Sequence, residues 1–113
     1  MKFTNDANMN FSSLKGEFPI SYAELVEIFG PPKHGPNADL DKTTCEWALQ
    51  FEDGTRASIY DYKEPSTPMY EYAWHIGGFD ANAYTCVVDT ISIHRDRLVK
   101  MVREYRPNQR VTG

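Results

Sequence analysis

Three groups of residues in this sequence have the chemistry to recognise something. The first is aromatic: Tyr60, Tyr62, Tyr70, Tyr72 and Trp74, with Trp47 upstream and His75 and Gly77-Gly78 alongside. Flat rings stack on a base or anchor a protein partner. Amides freed by a glycine pair between a strand and a helix can hold an anion. The second group is basic: Arg95, Arg97, Lys100 and Arg103, suited to a phosphate or an acidic surface. The third is an acid–base set, His75 with Glu46 or Asp61, from which a small hydrolase could be built. The candidate ligand- or partner-binding residues are therefore Trp74, His75, Gly77, Gly78, Tyr60, Tyr62, Arg95, Arg97 and Arg103.

Each group has an ordinary alternative. Same-face aromatics on a sheet are most often core beneath a helix, a glycine pair marks a turn, and a basic stripe is a solvated helix face. Six large rings nevertheless exceed what a small sheet under one helix needs, so some should be exposed or line a groove. His34, His75, His94, Cys45 and Cys86 form no pair within four residues, which leaves no metal site to expect. Both cysteines sit in apolar-patterned segments where a small buried hydrophobe is the usual role. No phosphate-binding loop, dinucleotide fingerprint or G-x-S-x-G elbow is present. No cofactor and no catalytic residue is assigned.

At 113 residues and 13.0 kDa the chain has the size of one domain. Hydrophobic residues are 41%, and no apolar run approaches the roughly 18 residues of a membrane span. Met1 to Asn10 lacks the basic start and apolar core of a signal peptide. Two cysteines are too few for a disulfide framework, so a reducing cytoplasm is expected. The net charge of -4 is unevenly placed. From His94 onward six basic residues meet only Asp96 and Glu104, whereas the first 93 residues hold six basic and fourteen acidic side chains. An acidic body with a basic C-terminal segment has two electrostatic faces. The body would repel phosphates, which disfavours nonspecific duplex DNA binding.

The elements that must position these residues are partly readable. Residues 1–10 are polar and aperiodic, and read as a flexible N-terminus. Phe11 to Ile20 contains a short strand, with Pro19 placing it at an edge or ending it. Ser21-Tyr-Ala-Glu24 has capping-box spacing, and Tyr22, Leu25, Val26 and Phe29 form one apolar helix face stopped by Gly30-Pro31-Pro32. Thr43 to Phe51 and Arg56 to Tyr62 alternate around Asp53-Gly54 as a hairpin. A two-residue loop would set Trp47 against Tyr60 and Glu46 against Asp61. Two carboxylates in that position repel, so either the turn is longer by one residue, which is the favoured reading, or the two share a cation or a ligand. Tyr70 to Ile76 is a third strand, ended by Gly77-Gly78. A long helix from about Ala81 to Tyr105 follows, with a break near Ser92, or else a fourth strand over 85–93 precedes a shorter helix. The apolar stripe through Leu98, Val102 and Tyr105 should point inward, and Arg106-Pro107 should end the helix. The fold expected is α+β: an antiparallel three- or four-stranded meander packed against one short and one long helix. Residues 11–106 form its single domain and 107–113 a basic tail.

Several segments occur together in a telling order: Phe29-Gly-Pro-Pro-Lys-His-Gly35 after the Ser-Tyr-Ala-Glu-Leu helix, Glu46-Trp47, Ala57-Ser-Ile-Tyr-Asp-Tyr-Lys63, and Trp74-His-Ile-Gly-Gly78. Over about residues 20–80 the chain resembles a group of small accessory proteins of phages and other mobile elements, usually of unassigned function. The resemblance departs after Gly78, at Phe79-Asp-Ala-Asn-Ala, and transfers no catalytic residue. It implies a binding protein that counteracts a host defence system in the host cytoplasm. Such a protein would inhibit a host defence protein or sequester a small nucleotide signal. The alternatives are the small hydrolase and a structural or assembly protein. Excess apolar sheet surface points further to a homodimer.

Overall fold

The computed structural model describes residues 2–109, with side chains through Tyr105. Along the chain come β1 (Phe3–Thr4), β2 (Ser13–Ile20), α1 (Tyr22–Phe29), β3 (Glu46–Phe51), β4 (Arg56–Tyr60), β5 (Tyr72–Gly78) and α2 (Asn82–Gln109). The fold is α+β. Its five strands form one antiparallel sheet in the order β1-β3-β4-β5-β2. The expected meander is β3-β4-β5, and residues 3–20 add a strand at each edge. Residues 1–10, expected to be a flexible terminus, thus contain β1 and a buried Ala7, whose N–H donates to the Ala48 carbonyl at 2.9 Å.

The β3–β4 hairpin shows how the register was decided. Its loop is Glu52-Asp53-Gly54, closed by Phe51 N–H to the Thr55 carbonyl at 2.8 Å, with Gly54 at φ +90°. A three-residue loop with glycine in the left-handed region is a favoured hairpin geometry. It sets Trp47 opposite Ile59 and Glu46 opposite Tyr60. Glu46 and Asp61 are thereby kept apart, as the repulsion argument required, and the Trp47–Tyr60 pairing of the shorter loop does not form.

One sheet face carries the core. Cys45, Trp47, Leu49 and Phe51 from the β3 segment join Ala57, Ile59, Trp74, Ile76 and Ile20, all nearly inaccessible to solvent. Helix α1 seats Leu25 and Phe29 against them, and α2 seats Ala83, Cys86, Val87 and Ile91. Trp47 and Trp74 meet edge to face at 5.6 Å. Each indole N–H has a backbone acceptor, Gly30 O at 2.9 Å and Ile20 O at 3.0 Å. Complete burial of rings that size, with the polar atom satisfied, contributes on the order of 3 kcal/mol apiece.

Helix α1 starts and stops where its sequence dictates. The Ser21 hydroxyl accepts the Glu24 N–H at 3.1 Å, and Gly30, at φ +83°, donates its N–H to Val26 O. Helix α2 spans 28 residues without interruption, so 85–93 is helix and there is no break at Ser92. Its β-branched run costs helix propensity, but Val87 and Ile91 are buried against the sheet and the Thr90 hydroxyl donates to Cys86 O at 2.7 Å. The helix also passes Arg106-Pro107 and runs to Gln109. A proline in the last turn removes one helical hydrogen bond rather than a ladder of them. Of the basic tail expected over 107–113, residues 110–113 lie outside the described residues.

Candidate functional site

The face of the sheet away from the helices holds a polar row set by strand register. Glu46 on β3 neighbours Tyr60 on β4, Tyr60 neighbours His75 on β5, and His75 neighbours Glu17 on β2. The His75 imidazole lies nearly parallel to the Tyr60 ring, centroids 5.4 Å apart at 23°. Tyr62 and Tyr72 approach it at 5.6 and 6.5 Å. Its Nε2 is 3.4 Å from Glu17 Oε2, while Nδ1 is buried without a hydrogen-bond partner among the described residues. Burial, reinforced by Tyr62 and Glu46 nearby, raises the Tyr60 phenol above its ordinary pKa.

The next row is built from small residues: Ala48, Ser58 and Gly77. A Cβ on Gly77 would come within 2.6 Å of the Ser58 hydroxyl and 3.3 Å of the Tyr60 ring. Above this floor runs a strap, residues 5–12, leading from β1 across to β2. Asn5 Oδ1 accepts the Ala48 N–H at 2.7 Å, and Arg56 donates to Asn8 O at 2.8 Å. Between strap and floor lies a cleft of about 530 Å³, walled by Asp6, Lys33, Glu46, Ser13 and Tyr60 with Ser58 beneath. Lys33 Nζ bonds Asp6 at 3.3 Å and Ala7 O at 3.4 Å.

The sequence-derived candidates do not converge on one place. Trp74 is wholly buried in the helix-side core, whereas its neighbour His75 faces outward with Tyr60. Tyr62 is partly exposed beside His75, with the Lys63 ammonium 5.2 Å from its ring. Gly77 and Gly78 do not form a turn. They are strand residues flanked by β4 on one side and β2 on the other. A Cβ on Gly78 would collide with Ala83 of α2. The pair exists for close packing on both faces, and its amides sit inside the ladder rather than at a helix start. Arg95 is also committed: its Nε and a terminal nitrogen bond Glu24 at 2.7 and 2.9 Å, and its guanidinium lies 5.6 Å from the Phe18 ring centroid. That bidentate bond, stronger than the cost of partial burial, lowers the Glu24 pKa and raises that of Arg95.

Arg97 and Arg103 stand on a different structure, the distal half of α2. The stripe Ala83, Val87, Ile91 that seats the helix continues through Leu98, Met101, Val102 and Tyr105. Sequence periodicity pointed Leu98, Val102 and Tyr105 inward. Instead they are 40, 64 and 66% exposed, with Val99 at 50% and Met101 at 63%. The sheet has ended by then, and at about 1.5 Å per residue the 28-residue helix outruns it by several turns. Arg97 lies at the edge of the stripe, while Lys100 and Arg103 stand on the opposite face of the helix; none of the three has a partner among the described residues.

The hydrolase pairing does not assemble. Asp61 is fully buried on the core side, accepting Thr44 N–H at 2.7 Å, the Thr44 hydroxyl at 2.6 Å and Cys45 N–H at 3.1 Å. Tyr60 stands between Glu46 and His75, and the carboxylate His75 does meet is Glu17. Burial, with Asp61 and Glu46 adding to it, pushes the Cys45 thiol up to about 12. Burial also raises Cys86, so neither thiol is an activated nucleophile. Among the described residues no group of three or more His, Cys, Asp or Glu is placed to hold a metal, and no helix is long and apolar enough to cross a membrane. Sequence reasoning missed Glu17, Lys33, Ser58 and the strap; the one signal was Ser58, a lone hydroxyl within the Ala57–Ile59 apolar run. Compared with family models, curated proteins and solved structures, the chain matches none.

Proposed function

We propose that this chain is a non-enzymatic binding protein of the phage-accessory kind, which counteracts a host defence system by occupying a defence protein. The observation that carries the reading is the distal half of α2: a projecting helix with Leu98, Met101, Val102 and Tyr105 uncovered along one stripe, Arg97 at its edge and Lys100 and Arg103 on the far face. An amphipathic helix with unburied anchors at i, i+3, i+4 and i+7 is suited to a partner's groove. Arg97 at the edge of the stripe suits a groove with an acidic wall. Capture of a nucleotide signal draws less support, because Gly77-Gly78 lies within the ladder, Arg95 is held by Glu24, and Arg97 and Arg103 stand on the helix arm. The hydrolase reading has no assembled acid–base pair with His75 beyond Glu17. A second copy of the chain is the competing occupant of the stripe.

The test is expression in bacterial cells carrying individual defence systems, scored by restored plating of a sensitive phage. Restoration in at least one strain is expected. A Leu98→Asp/Val102→Asp variant with unchanged melting temperature should lose it. Retained protection by that variant overturns the assignment to α2. Light scattering at 13.0 kDa across concentration is expected; a particle of twice that mass, dissociated by the same variant, gives the stripe to a second copy.

A further inference from the structure

We infer that the cleft between the strap and the outer face of the sheet is a second binding site, for a cyclic small molecule that carries hydroxyl or amino donors and no phosphate. Ser58 is 3% exposed, yet its hydroxyl lines the cleft and has no hydrogen-bond partner among the described residues. The hydroxyl reaches the cleft with no protein partner, so it is available to donate to or accept from a ligand there. The small floor of Ala48, Ser58 and Gly77 is what leaves the space, and nothing larger than hydrogen fits at Gly77 without striking Ser58.

The wall chemistry selects the ligand. Asp6 and Glu46 are acceptors only, and Lys33 is already bonded to Asp6 and to Ala7 O. The lining therefore has a net negative charge and no free cation for an anion. Hydroxyl and amino hydrogens of a ligand can reach Glu46, and Ser58 and Tyr60 can donate or accept. A volume of about 530 Å³ holds a nucleoside or an amino sugar. Both share the required chemistry, and their phosphorylated forms do not.

Titration of the full-length, isotope-labelled protein with adenosine, guanosine, glucosamine and the phosphate ester of each, followed by amide chemical shifts, tests the assignment. At least one unphosphorylated probe should shift amides of the strap, Ser58 and Tyr60, and its phosphate ester should bind at least about tenfold more weakly. Ser58→Ala should weaken that probe about threefold and Glu46→Gln about tenfold. Glu46 lies on the cleft wall and is partly exposed, so the second variant keeps the test valid should the first disturb the floor. Absence of shifts at these amides with all six probes, equal or tighter binding of a phosphate ester, or unchanged affinity in both variants overturns the site. Leu98→Asp/Val102→Asp should leave probe affinity unchanged, so the cleft and the α2 surface fail or stand separately.

Discussion

Asp61 gives the most searching test of how this fold is held together. Its carboxylate is wholly buried and accepts three hydrogen bonds, from Thr44 N–H, Cys45 N–H and the Thr44 hydroxyl. The Thr44 hydroxyl is in turn 2.7 Å from that of Thr67, which accepts Asn37 N–H at 2.8 Å. One side chain thus ties the long loop after α1, and the loop after β4, to the end of the sheet. Asp61→Ala leaves two backbone amides that cannot turn elsewhere and one hydroxyl that can. Bonds to a charged acceptor contribute about 1.5–3 kcal/mol each, so the loss should be about 4 kcal/mol. Asp61→Asn keeps Oδ1 for both amides and replaces Oδ2 by a donor. Thr44 must then reverse, accepting from the amide and donating toward Thr67, at a cost of about 1–2 kcal/mol. Trp47 and Trp74 are fully buried, so urea unfolding followed by indole fluorescence reads both values, with slopes near the parent's. Two results would refute the reasoning: Asp61→Ala within 1 kcal/mol of the parent, or Asp61→Asn as costly as Asp61→Ala.

Three further outcomes follow from contacts already described. Gly78→Ala should destabilise by roughly 2 kcal/mol, because the new methyl meets Ala83 and the start of α2 must shift; thermal melting measures it. Glu24→Gln should cost about 1 kcal/mol near neutral pH, a figure kept small because Arg95 is 44% exposed. The folded Glu24 pKa is depressed, so this stabilisation is present above its ordinary value of 4.5 and vanishes as pH falls through the lowered one. A stability difference from the parent that persisted at pH 2 would contradict the pairing. Cys45, with its thiol near 12, should resist iodoacetamide at pH 8 for as long as the protein stays folded, and label within minutes in urea.

The legible parts of this fold are those whose determinants lie close in sequence. Ser21, the Tyr22–Leu25–Val26–Phe29 spacing and Gly30 define α1 within ten residues. Asp53-Gly54 and the repulsion of Glu46 and Asp61 were enough to choose the hairpin register. The failures share a different cause. Gly77-Gly78 has the composition of a turn, but what demands glycine is Ser58 from another strand and Ala83 from a helix not yet begun. The Leu98–Val102–Tyr105 stripe has a correct helical period, yet period says nothing of where the sheet beneath it ends. Strand β1 is two residues long, too short for any alternation, and the strap's route is set by Asn5, Ala7 and Arg56 bonding across the sheet. Half of the candidate site was therefore visible as residue types, Tyr60 and His75, but its face and its companions were not.

The placement of residues 3–20 bears on how this sheet avoids edge-to-edge association. An unpaired strand edge is a template on which another chain can add, and an open sheet has two such edges to guard. Here a single continuous segment guards both: β1 and residues 5–7 lie along β3, and β2, with its irregularity between Leu14 and Gly16 and its Pro19, closes the side of β5. The strand partners of that segment lie roughly 45 to 65 residues later in sequence, so its pairing carries a high loop-closure cost. Its detachment would bare two sticky borders together rather than one. Polymerisation of this chain should accordingly track the opening of its first twenty residues, which also takes Ile20 from the core and its carbonyl from the Trp74 indole.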